Sequence, residues 1–211
     1  MNRPDQDPAV AEPRSERHPK APVPKTRTPG PYPLPPKEKR TGLVIVNTGK
    51  GKGKTTAALG VMLRAVGRGM KVAMYQFVKT SDVERGEHVG ARALGVDVVS
   101  MGAGFTWLSE SLEEDQKLAR ECWARCAEVL DSGAYDLVIF DELTYALTYG
   151  WLTHEEVCGV LQRRPKGTHV VITGRNAPEE LIDFADLVSE VQEIKHPYRT
   201  RGLGAQPGIE L

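Results

Sequence analysis

The chain has 211 residues, 28 Lys/Arg balanced by 28 Asp/Glu, and 40% hydrophobic residues. That is enough for one domain with a full core, and no apolar run approaches the roughly 20 residues a membrane span needs. Charge is uneven along the chain, with nine Lys/Arg and five Asp/Glu in residues 1–40 but nineteen and twenty-three in the remainder, and a net-acidic body argues against a nucleic-acid scaffold.

Residues 1–40 contain eleven of the fifteen prolines and almost no aliphatic side chains. Such a segment cannot bury enough apolar surface to offset its ordering entropy, so it is expected to be a disordered or polyproline-like tail ahead of a domain over 41–211. Its start is too polar for a secretory leader. Three cysteines cannot all pair and none is spaced as in a zinc knuckle, which points to a reduced, cytoplasmic setting.

The first apolar run covers 43–46, and NTGKGKGKTT over 47–56 follows it directly. Only one register of the phosphate-binding pattern G-x-x-x-x-G-K-[ST] ends on Gly53, Lys54 and Thr55, and it puts Thr48 where the pattern has glycine. Gly49, Gly51 and Gly53 let successive N–H groups turn inward as an anion nest, and the helix beginning here adds its positive end. Lys54 is expected to reach the phosphates and the Thr55 hydroxyl to ligate Mg²⁺. Thr56 is counted with the nucleotide contacts. Lys50 and Lys52 occupy variable positions, facing either solvent or further phosphate charge. Over 54–68, Ala57, Ala58, Val61, Met62, Ala65 and Val66 share one helix face.

Strands are expected at 72–77 and 96–99, and then a helix over 112–130 with Ala119, Cys122, Trp123, Cys126, Val129 and Leu130 at helical spacing. The run YDLVIFDEL reads as a strand ending in Asp141 and Glu142, where a P-loop protein places its Walker-B acid. One carboxylate there holds the Mg²⁺ shell and the other positions a reactant, so both are candidate metal ligands and Glu142 is also a catalytic candidate. Thr153 and Glu156 form a capping box for a helix to about residue 161. Runs at 170–172 and, more weakly, 187–194 complete the set. Val/Ile-rich strands without polar alternation, separated by helices, imply an open parallel α/β sheet covered on both faces.

The chain resembles the P-loop ATP:corrinoid adenosyltransferases. The resemblance runs from about residue 41 to 211 and rests on TGKGKGKTTAALG, RAVGRGMKVAMYQFVK, GFTW, VIFDELTYAL, VITGRNAPEELIDFADLVSEV and KHPYRTRGLGAQPGIEL. Thr48 matches the family's own P-loop. The resemblance implies a RecA-like P-loop fold and a specific reaction. A Co(I) corrinoid attacks C5′ of ATP, a cobalt–carbon bond forms, and triphosphate leaves intact. It implies ATP as co-substrate with Mg²⁺ or Mn²⁺, phosphate contacts from Lys54, Lys52, Arg64 and Arg175, and Phe105 and Trp107 packed under the corrin to displace its lower ligand. It also implies a flavin-type reductase or flavodoxin as electron donor, a homodimer, and neither nucleic acid nor membrane as partner. Lys50 stands where members often have Asn, and Thr80 where they often have Gly.

Bland readings suffice elsewhere. Cys122 and Cys126 read as core, Cys158 has no evident partner, His88 reads as a solvated loop histidine, and Trp151 with its neighbouring tyrosines reads as packing. His196 falls in the family's ending, where it is expected to shape the site. Two other readings of the P-loop stand beside the first: an ATPase or small-molecule kinase using Glu142, and a RecA-like nucleic-acid module, which the acidic body disfavours.

Overall fold

The computed structural model describes residues 34–102 and 112–210. Six strands, β1 Val44–Thr48, β2 Val72–Gln76, β3 Asp97–Ser100, β4 Leu137–Asp141, β5 His169–Thr173 and β6 Leu187–Glu190, form one sheet in the order β3-β2-β4-β5-β1-β6. All neighbouring pairs are parallel, so every connection must cross over a face of the sheet. The crossovers carry α1 Lys54–Val66, α2 Gly86–Ala93, α3 Leu112–Ser132, α4 Leu143–Thr148, α5 His154–Arg163 and α6 Glu179–Phe184, and α7 Pro197–Arg201 follows the last strand.

Side-chain alternation along the central strands divides the core in two. On β4, Leu137 and Ile139 join Ala58, Met62, Met74 and Val171 on the face covered by α1 and α2. Val138 and Phe140 face Trp123, Leu130, Leu143 and Leu161 on the other. Trp123 meets Phe140 edge-on at 5.6 Å between centroids, the arrangement aromatic quadrupoles favour. Cys122 and Cys126 lie in this second core, as their helical spacing with apolar neighbours implies. The expected capping box of α5 is present: Glu156 N donates to Thr153 Oγ1 at 3.2 Å and Thr153 N to Glu156 Oε2 at 2.8 Å.

Several local expectations are corrected. Ala57 is exposed; α1 buries Ala58, Met62 and Ala65. The last strand stops at Glu190 rather than 194, because Val191 turns to the P-loop, donating to Thr48 O at 2.8 Å and accepting from Gly51 N at 2.7 Å. His88 lies on helix α2, not in a loop; that helix buries only Ala91, so its sequence carries no apolar period. Residues 34–40, placed with the tail by composition, make domain contacts. Lys37 Nζ donates to Gly133 O and Tyr135 O at 2.6 and 2.7 Å, and Arg40 pairs with Asp136 at 2.9 Å.

Candidate nucleotide and cation site

The sheet brings its chemistry to the carboxyl ends of the strands, where open α/β sheets bind ligands. The P-loop leaves β1 at Thr48 and enters α1 at Lys54. Two of its glycines are obligatory: Gly49 has φ 98° with no room for a Cβ against Val191, and Gly53, the helix N-cap, has φ 113°. Thr48, the residue in the pattern's glycine position, is buried, and its hydroxyl accepts from Ala177 N at 3.1 Å. That bond ties the loop to the β5–α6 connection that carries Arg175.

The lysines have three different environments. Lys54 folds back onto its own loop, donating to Gly51 O at 2.5 Å. Burial, and then the Arg175 guanidinium, pull its ammonium below the usual lysine range against the opposing carboxylates. Lys52 pairs with Glu210 of the C-terminal segment at 2.9 Å, a partner nothing in the local sequence signals. Lys50 is exposed, as are Thr56 and Arg64. Arg64 is ten residues beyond Lys54 on the same helix, about 15 Å along its axis, so one chain does not bring it to the cradle. Phe105 and Trp107 lie outside the described residues. His196 caps α7, accepting from Tyr198 N at 3.2 Å.

Asp141 is fully buried at the end of β4 and takes four donors. Its Oδ1 accepts from Thr55 Oγ1 at 2.8 Å and Thr173 Oγ1 at 2.7 Å; its Oδ2 accepts from Gln76 Nε2 at 3.1 Å and Lys79 Nζ at 3.0 Å. Asp141 therefore orients the Thr55 hydroxyl, whose lone pairs are left for a cation, rather than presenting an open coordination position of its own. This differs from the expectation that it ligates metal directly. Glu142 follows in the left-handed region at φ 65°, an uncommon backbone state for a residue with a Cβ and one concentrated at functional sites. Burial and the neighbouring Asp141 charge push its carboxyl up to about 7.

A second tier of polar residues supports Asp141, and sequence reasoning missed it. The Gln76 amide nitrogen faces Asp141, so its Oε1 accepts from Ser100 Oγ at 2.7 Å and His88 Nε2 at 2.7 Å. His88 Nδ1 accepts from Arg85 N at 3.3 Å, which fixes the neutral ring with its proton on Nε2; burial holds its pKa below the usual value. Lys79 is clamped between Asp141 and Glu87, the latter at 2.9 Å. Burial opposes the ammonium, but the two carboxylates outweigh it and raise the Lys79 pKa.

A parallel sheet with a glycine-lysine cradle after β1, and an acid on β4 bonded to the cradle threonine, defines a P-loop nucleotide-binding protein of the open α/β class. Within that class, the family model for ATP:corrinoid adenosyltransferase BtuR/CobO/CobP matches residues 40–211. The chain belongs to this family. The corrinoid adenosyltransferase of Escherichia coli K12 is 42% identical over 74% of this chain and 79% of its own length. Those of Salmonella typhimurium, at 40% over 74% and 79%, and Pseudomonas aeruginosa, at 39% over 74% and 77%, are similar. The flagellar accessory protein FlaH from Methanocaldococcus jannaschii is similar in structure, with a TM-score of 0.48 and 11% identity over 71% of this chain and 70% of that one.

Proposed function

We propose that the protein transfers the 5′-deoxyadenosyl group of ATP to the Co(I) of a corrinoid in adenosylcobalamin synthesis or salvage. The observation that carries this is the intact cradle-to-acid connection, Thr55 Oγ1 to Asp141 Oδ1 at 2.8 Å, in a chain matched to the family over residues 40–211. Co(I) supplies the electron pair of the new cobalt–carbon bond. The C5′–O bond breaks, and its pair leaves on the α-phosphate oxygen of triphosphate. No protein base is needed. The protein's task is to hold three phosphates while charge develops on the leaving oxygen, the kind of work preorganised donors do best. Lys54 moves from Gly51 O to phosphate, and Lys52 and Arg175 add charge along the triphosphate.

The residues fit a Mg²⁺ or Mn²⁺ that arrives with nucleotide. Among the described residues no group of three or more His, Cys, Asp or Glu is placed to hold a metal ion, whereas Mg²⁺ commonly takes one or two protein ligands and fills its shell with phosphate and water. Thr55 and Glu142 would hold it, with Asp141 fixing Thr55. When bound, the cation supplies neutralisation of the phosphate charge. Phe105 and Trp107 act on the corrin face, clearing the lower axial ligand before reduction. The reading extends to a flavin-type reductase or flavodoxin as electron donor, a homodimer and a cytoplasmic setting; the thiols of Cys122, Cys126 and Cys158, all unpaired, support the last. No helix among the described residues is long and apolar enough to cross a membrane. The test combines protein, ATP, Mg²⁺ and a chemically reduced corrinoid. A light-sensitive cobalt–carbon product with triphosphate in equal amount is expected, and ADP or orthophosphate as the product would overturn the reading in favour of a kinase or ATPase.

A further inference from the structure

We propose that Lys79 is a built-in counter-ion that closes the Asp141 corner to free divalent cations, so that metal enters only with nucleotide, and that Glu87 holds it there. The proposal rests on the reading of Thr55 and Asp141 as the nucleotide's cation corner. Lys79 lies three residues beyond the end of β2, and Glu87 lies on α2. One nitrogen meets two carboxylates, Glu87 Oε1 at 2.9 Å and Asp141 Oδ2 at 3.0 Å. The side chains are sheltered: Lys79 is 19% exposed, Glu87 13% and Asp141 0%. Solvent therefore screens the three charges little.

Two carboxylate oxygens within hydrogen-bond reach of one point are the makings of a divalent-cation site. Here an ammonium occupies that point. A free cation approaching Asp141 meets a like charge and an acceptor already engaged. Glu142, the remaining acid, gives it one carboxylate and no chelate. Triphosphate changes this balance, because it brings its own oxygens and several negative charges to the Thr55 side of Asp141, the side away from Lys79: Thr55 bonds Oδ1 and Lys79 bonds Oδ2. The metal then needs no vacancy at Oδ2. The arrangement spares the empty enzyme from a cation that would pull Asp141 off Thr55. It orders the binding, with metal and nucleotide arriving together.

Equilibrium dialysis of Mn²⁺ against the full-length protein tests this without any corrinoid. In the absence of nucleotide, wild type is expected to retain Mn²⁺ weakly, while Lys79→Met and the neutral, hydrogen-bonding Lys79→Gln bind one Mn²⁺ about tenfold tighter or more, the scale a like charge at this distance commands. Lys79→Arg keeps the charge and should behave as wild type. Adding Glu87→Gln to Lys79→Met removes one of the two bracketing carboxylates and should abolish the gain. A separate arm adds ATP to wild type, which should then retain Mn²⁺, and Thr55→Ala should lose that response. Failure of the ATP arm sinks the cation-corner reading itself. A working ATP arm with no gain in either neutral Lys79 variant, or tight Mn²⁺ binding by nucleotide-free wild type, overturns the role of Lys79. If Lys79→Met does not melt cooperatively, Lys79→Gln decides.

Discussion

Of the three loop lysines only Lys54 is inside the cradle, part-buried and bonded to Gly51 O, whereas Lys50 points to solvent and Lys52 is held by Glu210. Lys54→Ala should lower kcat/KM for ATP about 10²–10³-fold, the typical loss of a contact to developing charge, and Lys50→Ala should keep most activity. Comparable losses in steady-state assays of the two would show that all three lysines share the phosphates. Glu142 makes a prediction about pH. Its folded pKa of about 7 lies above the usual 4.5, so the fold prefers the protonated acid. Its contribution is fully present below about 4.5 and is lost as pH rises through about 7, because the unfolded chain gives up that proton first. In EDTA and without nucleotide, Glu142→Gln should melt above wild type at pH 8, by about 2–4 °C for each kcal/mol recovered, and the gap should close towards pH 4.5. A gap that stays constant across that range in differential scanning fluorimetry would place the charged carboxylate at ease in the fold.

At the scale of the element, the central strands were the most legible, because β1, β2, β4 and β5 are buried nearly throughout and so read as unbroken apolar runs. The edge strand β6 is exposed along its length and β3 is mostly half-buried, and their ends are correspondingly vague in sequence. The short helices α2, α4, α6 and α7 were not legible. Each is too brief for a 3.6-residue period to emerge, and α4 starts from Glu142 in a left-handed conformation that no ordinary cap signals. The site divides in the same way. Thr55, Lys54 and Asp141 follow from local motifs. Gln76, Lys79, Glu87 and His88 do not, because Gln76 and Lys79 join Asp141 across 65 and 62 residues of chain, and a Lys and a Glu eight residues apart look like any solvated surface. The GFTW sequence makes a prediction of its own. Replacing Phe105 and Trp107 together with Ala should cripple adenosylation from Co(II) with a mild flavin-type reductant, yet cost far less from preformed Co(I), with ATP affinity unchanged. Equal loss in both assays would mean that the pair positions the corrin for attack rather than easing its reduction.

For the whole molecule the question is where the domain begins. The proline-rich composition runs to residue 40, yet the contacts of Lys37 and Arg40 tie residues 34–40 to the start of β4. Asp136 is the hub: its Oδ1 pairs with Arg40 at 2.9 Å and its Oδ2 accepts from Lys71 N at 2.9 Å, just ahead of β2. Both partners of the ion pair are sheltered, at 15% and 17% side-chain exposure, so this is no ordinary surface pair. Deleting residues 1–33 removes a segment whose composition offers no core, and the melting transition should stay cooperative and near that of the full chain. Deleting residues 1–40 takes Arg40 away from a half-buried carboxylate. Leaving a charge unpaired in that way costs about 1–3 kcal/mol, or about 2–4 °C of Tm for each kcal/mol in a chain of this size. Nucleotide binding should survive both cuts, since Lys37 and Arg40 bond to residues 133–136 ahead of β4, at the end of that strand opposite Asp141. Equal melting temperatures for the two truncations would place the boundary at residue 41 and reduce the Arg40–Asp136 pair to a solvated contact, whereas loss of ATP binding with either truncation would give the tail a part in the site itself.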